Sequence, residues 1–406
     1  MAIGWEFAGP YHRTMVANAA FLRARRAGQY RSERSSIGRA LPVIAVLLGL
    51  VACVTDFGSA VGSAATLPQI GVTTLQLVDE SRADPWQPTA RRELSVTIDY
   101  PAAAGAYPAA DDLLPGLSGT LRSVRVYANP PVAAGTKSLP VLLYSPGAGL
   151  PARAGASVAE ALAASGYAVV SIGDTHGSVP GTVFPDGHIA LYDPRNVTEP
   201  ARAHRISWAA RTGDIRFVLD ELTLLTHGSV RDSGGRALPS GLGAAMDLTR
   251  VGMFGHSLGG TSSVYADPRV RAGVDLDGYS DPAQLGTGLV ADSRRPILFM
   301  ADGRADQVTR RRRMGLMCAG RVGWTRAVVL ADSGHLSFTD LEYLPPSVTR
   351  APAVSSLFGT IAPDRAHAAI TAYVKAMFDH ILGGRPEPLL DGPSAAFPEI
   401  TFDPHT

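Results

Sequence analysis

From about Gly71 onward the chain alternates short apolar runs with longer amphipathic stretches. Residues 72–78 and 94–100 carry the period-two pattern of strands, the second ending at Pro101. Residues 140–145 (Pro-Val-Leu-Leu-Tyr-Ser) and 168–172 (Ala-Val-Val-Ser-Ile) are apolar without interruption, as expected of strands covered on both faces. Further strand-like runs fall at 250–254, 271–276, 296–300 and 327–330. Between them, residues 158–164, 257–265 and 366–382 read as helices. Residues 201–225 also have helical periodicity, with Ile206, Ala209, Ile215, Val218, Leu219 and Leu222 on one side. Residues 102–120 and 173–197 are rich in turn formers, and the second stretch reads as a surface loop of the kind that often lines a site. Strands alternating with helices predict an α/β fold: a mainly parallel central sheet with helices on both faces. In such sheets the functional groups gather beyond the carboxyl ends of the strands.

The amino-terminal segment follows a different pattern. Residues 1–39 hold seven arginines against Glu6 and Glu33, a net of +5 in a chain whose total is +1, so the remainder is mildly acidic. An uncharged apolar core spans residues 40–55, short for a bilayer crossing, and the small residues Ser63-Ala64-Ala65 follow. Residues 1–65 therefore read as an export segment, and 66–406 as a single catalytic-sized domain, which places the product outside the cell or in its envelope. Leu50-Val51-Ala52-Cys53 also resembles a lipobox, so lipidation at Cys53 and free secretion are both open. The near-neutral charge excludes an electrostatic nucleic-acid binder. Two distant cysteines make no disulfide framework, and no His/Cys cluster has metal-ligand spacing, so neither metal nor cofactor is expected. Cys318 reads as a small buried hydrophobe. Arg310–Arg313 reads as a solvated face, with contact to anionic headgroups as the alternative.

The chemistry concentrates at Gly255-His256-Ser257-Leu258-Gly259-Gly260, which follows an apolar run and precedes a small-residue helix. A G-x-S-x-G at a strand-to-helix junction has the form of the α/β-hydrolase nucleophile elbow, with Ser257 at the tip. A serine needs a base to take its proton. His335, behind the last sheet-like run, stands where the order Ser…Asp…His puts it. Two acids compete to orient that histidine: Asp277, ending the strand at 271–276, and Asp306, just after the strand at 296–300. The residues alone leave them even. Two N–H groups must receive an oxyanion, and Leu258 and Ala148, in the turn Pro146-Gly147-Ala148-Gly149, are placed to supply them. Gly147, His256 and His176 are candidate substrate contacts. Asp174 and His176 read either as lining an acyl pocket or as turn residues.

Together these residues resemble the platelet-activating-factor acetylhydrolase isoform II family, especially its secreted bacterial members. The likeness covers roughly residues 71–385. It rests on Val78-Asp79-Glu80-Ser81-Arg82-Ala83-Asp84-Pro85-Trp86, Ser145-Pro146-Gly147-Ala148-Gly149, the elbow, Arg271–Gly278 and Ser333-Gly334-His335-Leu336-Ser337-Phe338. The resemblance implies an α/β-hydrolase fold and a serine esterase acting on short-chain or lipid-like esters, with Asp277 as the acid. In that family the oxyanion turn usually begins His-Gly, whereas Pro146 stands before Gly147 here. A polyester or triacylglycerol hydrolase using Asp306, and a hydrolase-like binding protein without turnover, are the competing readings.

Overall fold

The uninterrupted apolar runs become the middle of the sheet. In the computed structural model, which describes residues 68–110, 124–229, 232–278, 292–304 and 314–403, the strands are as follows. They are β1 (Gln69–Ala83), β2 (Arg91–Pro101), β3 (Arg125–Ala128), β4 (Leu139–Ser145), β5 (Ala168–Ile172), β6 (Gly181–Val183), β7 (Ile189–Leu191), β8 (Met246–His256), β9 (Val270–Leu276), β10 (Ile297–Asp302), β11 (Thr325–Leu330) and β12 (Ile400–Phe402). Four longer helices are α1 (Ala156–Ala164), α2 (Pro200–Thr226), α3 (Leu258–Val264) and α4 (Pro363–Ile381). Among the described residues, ten strands form one sheet in the order β12-β11-β10-β9-β8-β4-β5-β2-β1-β3. From β11 to β5 every neighbouring pair is parallel, while β2 and β12 join antiparallel.

Side chains alternate across this sheet, so each central strand feeds two cores. Leu142, Tyr144, Val169, Phe254, Val274 and Leu298 pack with Leu162 of α1 and with Ala369, Tyr373 and Met377 of α4. Val141, Leu143, Val170 and Met253 face the other way, onto Ile215, Val218 and Leu222 of α2. Helices therefore cover both faces of an α/β sheet, as the pattern predicted.

The parallel register lines up the strand ends. Ser145 pairs with Gly255, Gly255 with Asp275, and His256 with Leu276. Pro146, Ser257 and Asp277 thus leave the sheet side by side on one rim. Beyond β5 the 173–197 stretch is not a simple surface loop. It forms a hairpin from β6 and β7, and Asp174, Thr175 and Ser178 are buried. The export segment, Cys53 and Arg310–Arg313 lie outside the described residues. No helix among the described residues is long and apolar enough to cross a membrane.

Candidate active site

The elbow forms because the chain must reverse within one residue between β8 and α3. Ser257 takes φ 55° and ψ −121°, a region that a residue with a Cβ enters at a cost of roughly 1–3 kcal/mol. Tight packing holds it there: Ser257 N–H donates to Leu276 C=O at 2.9 Å, and Thr261 N–H returns to Ser257 C=O at 3.0 Å. Gly259 is required by approach, since a Cβ there would stand 2.0 Å from the Ser145 carbonyl oxygen.

His335 opens a 3-10 turn, His335–Phe338, just beyond β11. Its Nδ1–H donates to Asp277 Oδ2 at 2.5 Å, and Ser257 Oγ–H donates to its Nε2 at 3.1 Å. This pairing assigns the tautomer, because a carboxylate can only accept. Asp277 is itself at positive φ, 50°, with its N–H on Met300 C=O at 2.7 Å. Its second oxygen accepts Asp302 N–H at 3.0 Å. The His335 side chain is 22% exposed and that of Asp277 7%, so the imidazole is reachable while the acid behind it is screened. Asp306, the competing acid, lies outside the described residues.

A second histidine and a second aspartate sit directly beneath. The sequence offers His256 as a substrate contact; at 1% exposure it cannot serve as one. It instead donates Nε2–H to the His335 carbonyl at 2.8 Å, with the two rings 4.5 Å apart. Burial, and secondarily the neighbouring His335, hold its pKa well below the usual histidine value, so it stays neutral. Asp275 accepts Gly278 N–H at 2.7 Å and so closes the turn that presents Asp277. Burial, aided by the adjacent Asp277 charge, pushes its carboxyl well above the ordinary range, which keeps it protonated.

The turn after β4 supplies the opposite wall. Ala148 is exposed, whereas Gly147 is buried against His256 and Leu150; an added Cβ would meet His256 Nδ1 at 2.8 Å. Gly147 thus sits beneath the turn and not on the substrate side. Among the described residues, neither Ala148 N–H nor Leu258 N–H is used by a turn, loop or cap hydrogen bond. His176 is drawn elsewhere: its Nδ1–H donates to Leu191 C=O at 2.9 Å, and no described contact joins it to Ser257, Asp277 or His335. Asp174 is also no pocket residue, being 2% exposed and paired with Arg211 at 2.7 Å.

Sequence reasoning missed Arg211. This α2 residue is 4% exposed and donates to Ser145 Oγ at 2.7 Å, Pro146 C=O at 2.6 Å, Gly147 C=O at 3.3 Å, Ser207 Oγ at 3.3 Å and Asp174 Oδ2 at 2.7 Å. An arginine at a predicted core-side position of an amphipathic helix was the available signal, because an uncompensated charge is not tolerated there. Arg92 of β2 is fully buried as well, bridging Asp84, the Thr175 carbonyl and Asp214 of α2. Burial opposes its charge, but Asp214 and the nearby acids outweigh burial and raise its pKa. No group of three or more His, Cys, Asp or Glu among the described residues is arranged to hold a metal.

No family model matches the chain. A ferulic acid esterase from Streptomyces cinnamoneus superposes with a TM-score of 0.68 at 33% identity, covering 85% of this chain and 99% of its own. A probable 1-alkyl-2-acetylglycerophosphocholine esterase of Arthroderma benhamiae is 24% identical over 288 residues, which are 65% of this chain and 66% of that protein. With the sheet order and the elbow at its rim, these relationships place the chain among the α/β-hydrolase esterases.

Proposed function

We propose that the chain is an exported serine carboxylic-ester hydrolase that acts through an acyl-enzyme on short-chain or lipid-like esters. The observation that carries this reading is His335 spanning Ser257 and Asp277, at 3.1 and 2.5 Å. Ser257 Oγ attacks the ester carbonyl carbon as its proton passes to His335 Nε2. Asp277 holds the imidazole in the required tautomer and stabilises the imidazolium. The carbonyl oxygen, now an oxyanion, takes hydrogen bonds from Ala148 and Leu258 N–H. Collapse breaks the bond to the alcohol, which leaves with the proton from His335. Water then attacks the acyl-Ser257 ester with His335 as base, and the acid departs as the serine recovers its proton.

The two relatives act on an acetyl ester of a glycerophosphocholine and on a ferulic acid ester. Both names point to esters of a compact acyl group, and we assign that class to this chain. Turnover of p-nitrophenyl acetate, butyrate and dodecanoate, a 1-alkyl-2-acetylglycerophosphocholine and methyl ferulate tests the assignment. We expect the short acyl esters to be cleaved fastest, with a loss of about 10⁴-fold or more in Ser257→Ala. Undiminished hydrolysis by that variant, or a folded wild type that cleaves none of them, contradicts the reading. Export rests on residues 1–65, and recovery of the activity only inside expressing cells would remove that part.

A further inference from the structure

We infer that Arg211 is a positioning residue for oxyanion stabilisation, its buried guanidinium aiming the Ala148 N–H at the ester oxygen held over Ser257. The inference rests on the ester-hydrolase reading above and adds to it the device that sets one half of the oxyanion site.

Each of the five guanidinium N–H donors has an acceptor. Nε binds Ser207 Oγ, one Nη holds Ser145 Oγ and the Pro146 carbonyl, and the other holds the Gly147 carbonyl and Asp174 Oδ2. Three of these acceptors belong to consecutive residues, Ser145 at the end of β4 and Pro146 and Gly147 in the turn that follows. The Gly147 carbonyl is fixed a second time, by Leu150 N–H at 3.1 Å. The peptide joining Gly147 to Ala148 is trans, the only cis bond among the described residues being Val179–Pro180. In a trans peptide the carbonyl and the next N–H point in opposite directions. Drawing the Gly147 oxygen toward Arg211 therefore turns the Ala148 N–H away from α2, on an exposed residue at the rim where Ser257 emerges.

The same helix governs the other donor. Trp208, three residues before Arg211 and on the same helical face, is fully buried and packs on Leu258. One face of α2 thus rests against both Leu258 and the 145–147 turn. Pro146 brings no N–H and no polar side chain to the turn, so the arginine supplies its orienting bonds from outside. Asp174 keeps the guanidinium in place and balances its charge, and Ser207 accepts the remaining N–H while donating to Asp174 Oδ2 at 3.1 Å. A lysine offers three donors from a single nitrogen and cannot match the five acceptors that this planar fork holds.

The test compares matched oxygen esters and thionoesters, whose C=S sulfur accepts hydrogen bonds poorly, on wild type, Arg211→Lys and the charge-balanced double variant Arg211→Met with Asp174→Asn. The double variant removes the ion pair together, which keeps it foldable, and thermal melts confirm folding of the full chain. We expect kcat for oxygen esters to fall about 30- to 100-fold with KM changed less than about threefold, below the full loss of a donor. The preference for oxygen over thiono esters should shrink about tenfold, and Arg211→Lys should fall between the two. A merely structural arginine would lower both esters alike, and an unchanged ratio in folded variants overturns the inference while leaving the esterase reading intact. A folded wild type inert toward every ester would defeat that reading, and this inference with it.

Discussion

Two layers of the same residue types lie one above the other at the ends of β8, β9 and β11, and they behave oppositely. In the outer layer, His335 and Asp277 share a hydrogen bond of 2.5 Å, and the imidazole reaches Ser257. In the inner layer, His256 and Asp275 are each 1% exposed. His256 Nδ1 and one Asp275 oxygen are buried without a partner among the described residues. Partnering and access to solvent make the difference. Asp277 accepts on both oxygens, from His335 Nδ1–H and Asp302 N–H, whereas Asp275, buried with a single backbone donor, has its carboxyl pushed well above the ordinary range. The inner layer is uncharged: it supports the His335 carbonyl and closes the Asp277 turn without placing competing charges under the outer layer.

The largest expected effect comes from breaking the outer pair. Asp277→Asn keeps the shape but offers His335 Nδ1 a group that no longer enforces one tautomer, and kcat should drop about 10³- to 10⁴-fold. A loss below tenfold in steady-state kinetics would mean that another acid orients the imidazole. An intermediate effect is expected on breaking the inner layer's hold. His256→Phe fills the space but removes the bond to the His335 carbonyl, costing about 1–2 kcal/mol of stability and about tenfold in kcat. Denaturant melts and ester kinetics measure both, and wild-type behaviour in each would deny His256 a supporting role.

The smallest effect sharpens the contrast. Asp275→Asn imitates the protonated acid, so activity near neutral pH should stay within about threefold of wild type. The folded-state pKa of Asp275 lies above its ordinary 3.8, so the folded protein holds a proton that the unfolded chain releases. Its contribution is whole below about pH 4 and is lost as the pH rises toward the folded value. The replacement asparagine does not titrate, so the variant should gain stability relative to wild type as the pH climbs above about 4. A parallel pair of stability curves would show that Asp275 is ionised in the native protein.

Much of this architecture was legible because it is written locally. The apolar runs at 140–145 and 168–172 became β4 and β5, and the periodicity at 201–225 and 366–382 became α2 and α4. The elbow was visible because Ser257 needs small neighbours close in sequence. What escaped depends on contacts distant in sequence. Arg211 reaches the turn after β4 from 64 to 66 residues away, and His256 meets the His335 carbonyl across 79. Nothing in Ile400-Thr401-Phe402 announces a strand until β11 stands beside it. The 173–197 stretch reads as a plain loop because turn formers also describe the β6–β7 hairpin, and because Asp174, Thr175 and Ser178, just before that hairpin, are buried only through contacts made from afar. Asp174 and Thr175 look like loop residues until Arg211 and Arg92 are seen to bind them.

The central claim is that His335 activates Ser257, and a serine-reactive fluorophosphonate probes it most directly. The account predicts a single adduct, mapped by mass spectrometry to Ser257, that forms rapidly in wild type and is abolished in a folded His335→Ala variant. An adduct at another serine, or labelling of Ser257 at the same rate without His335, would contradict it.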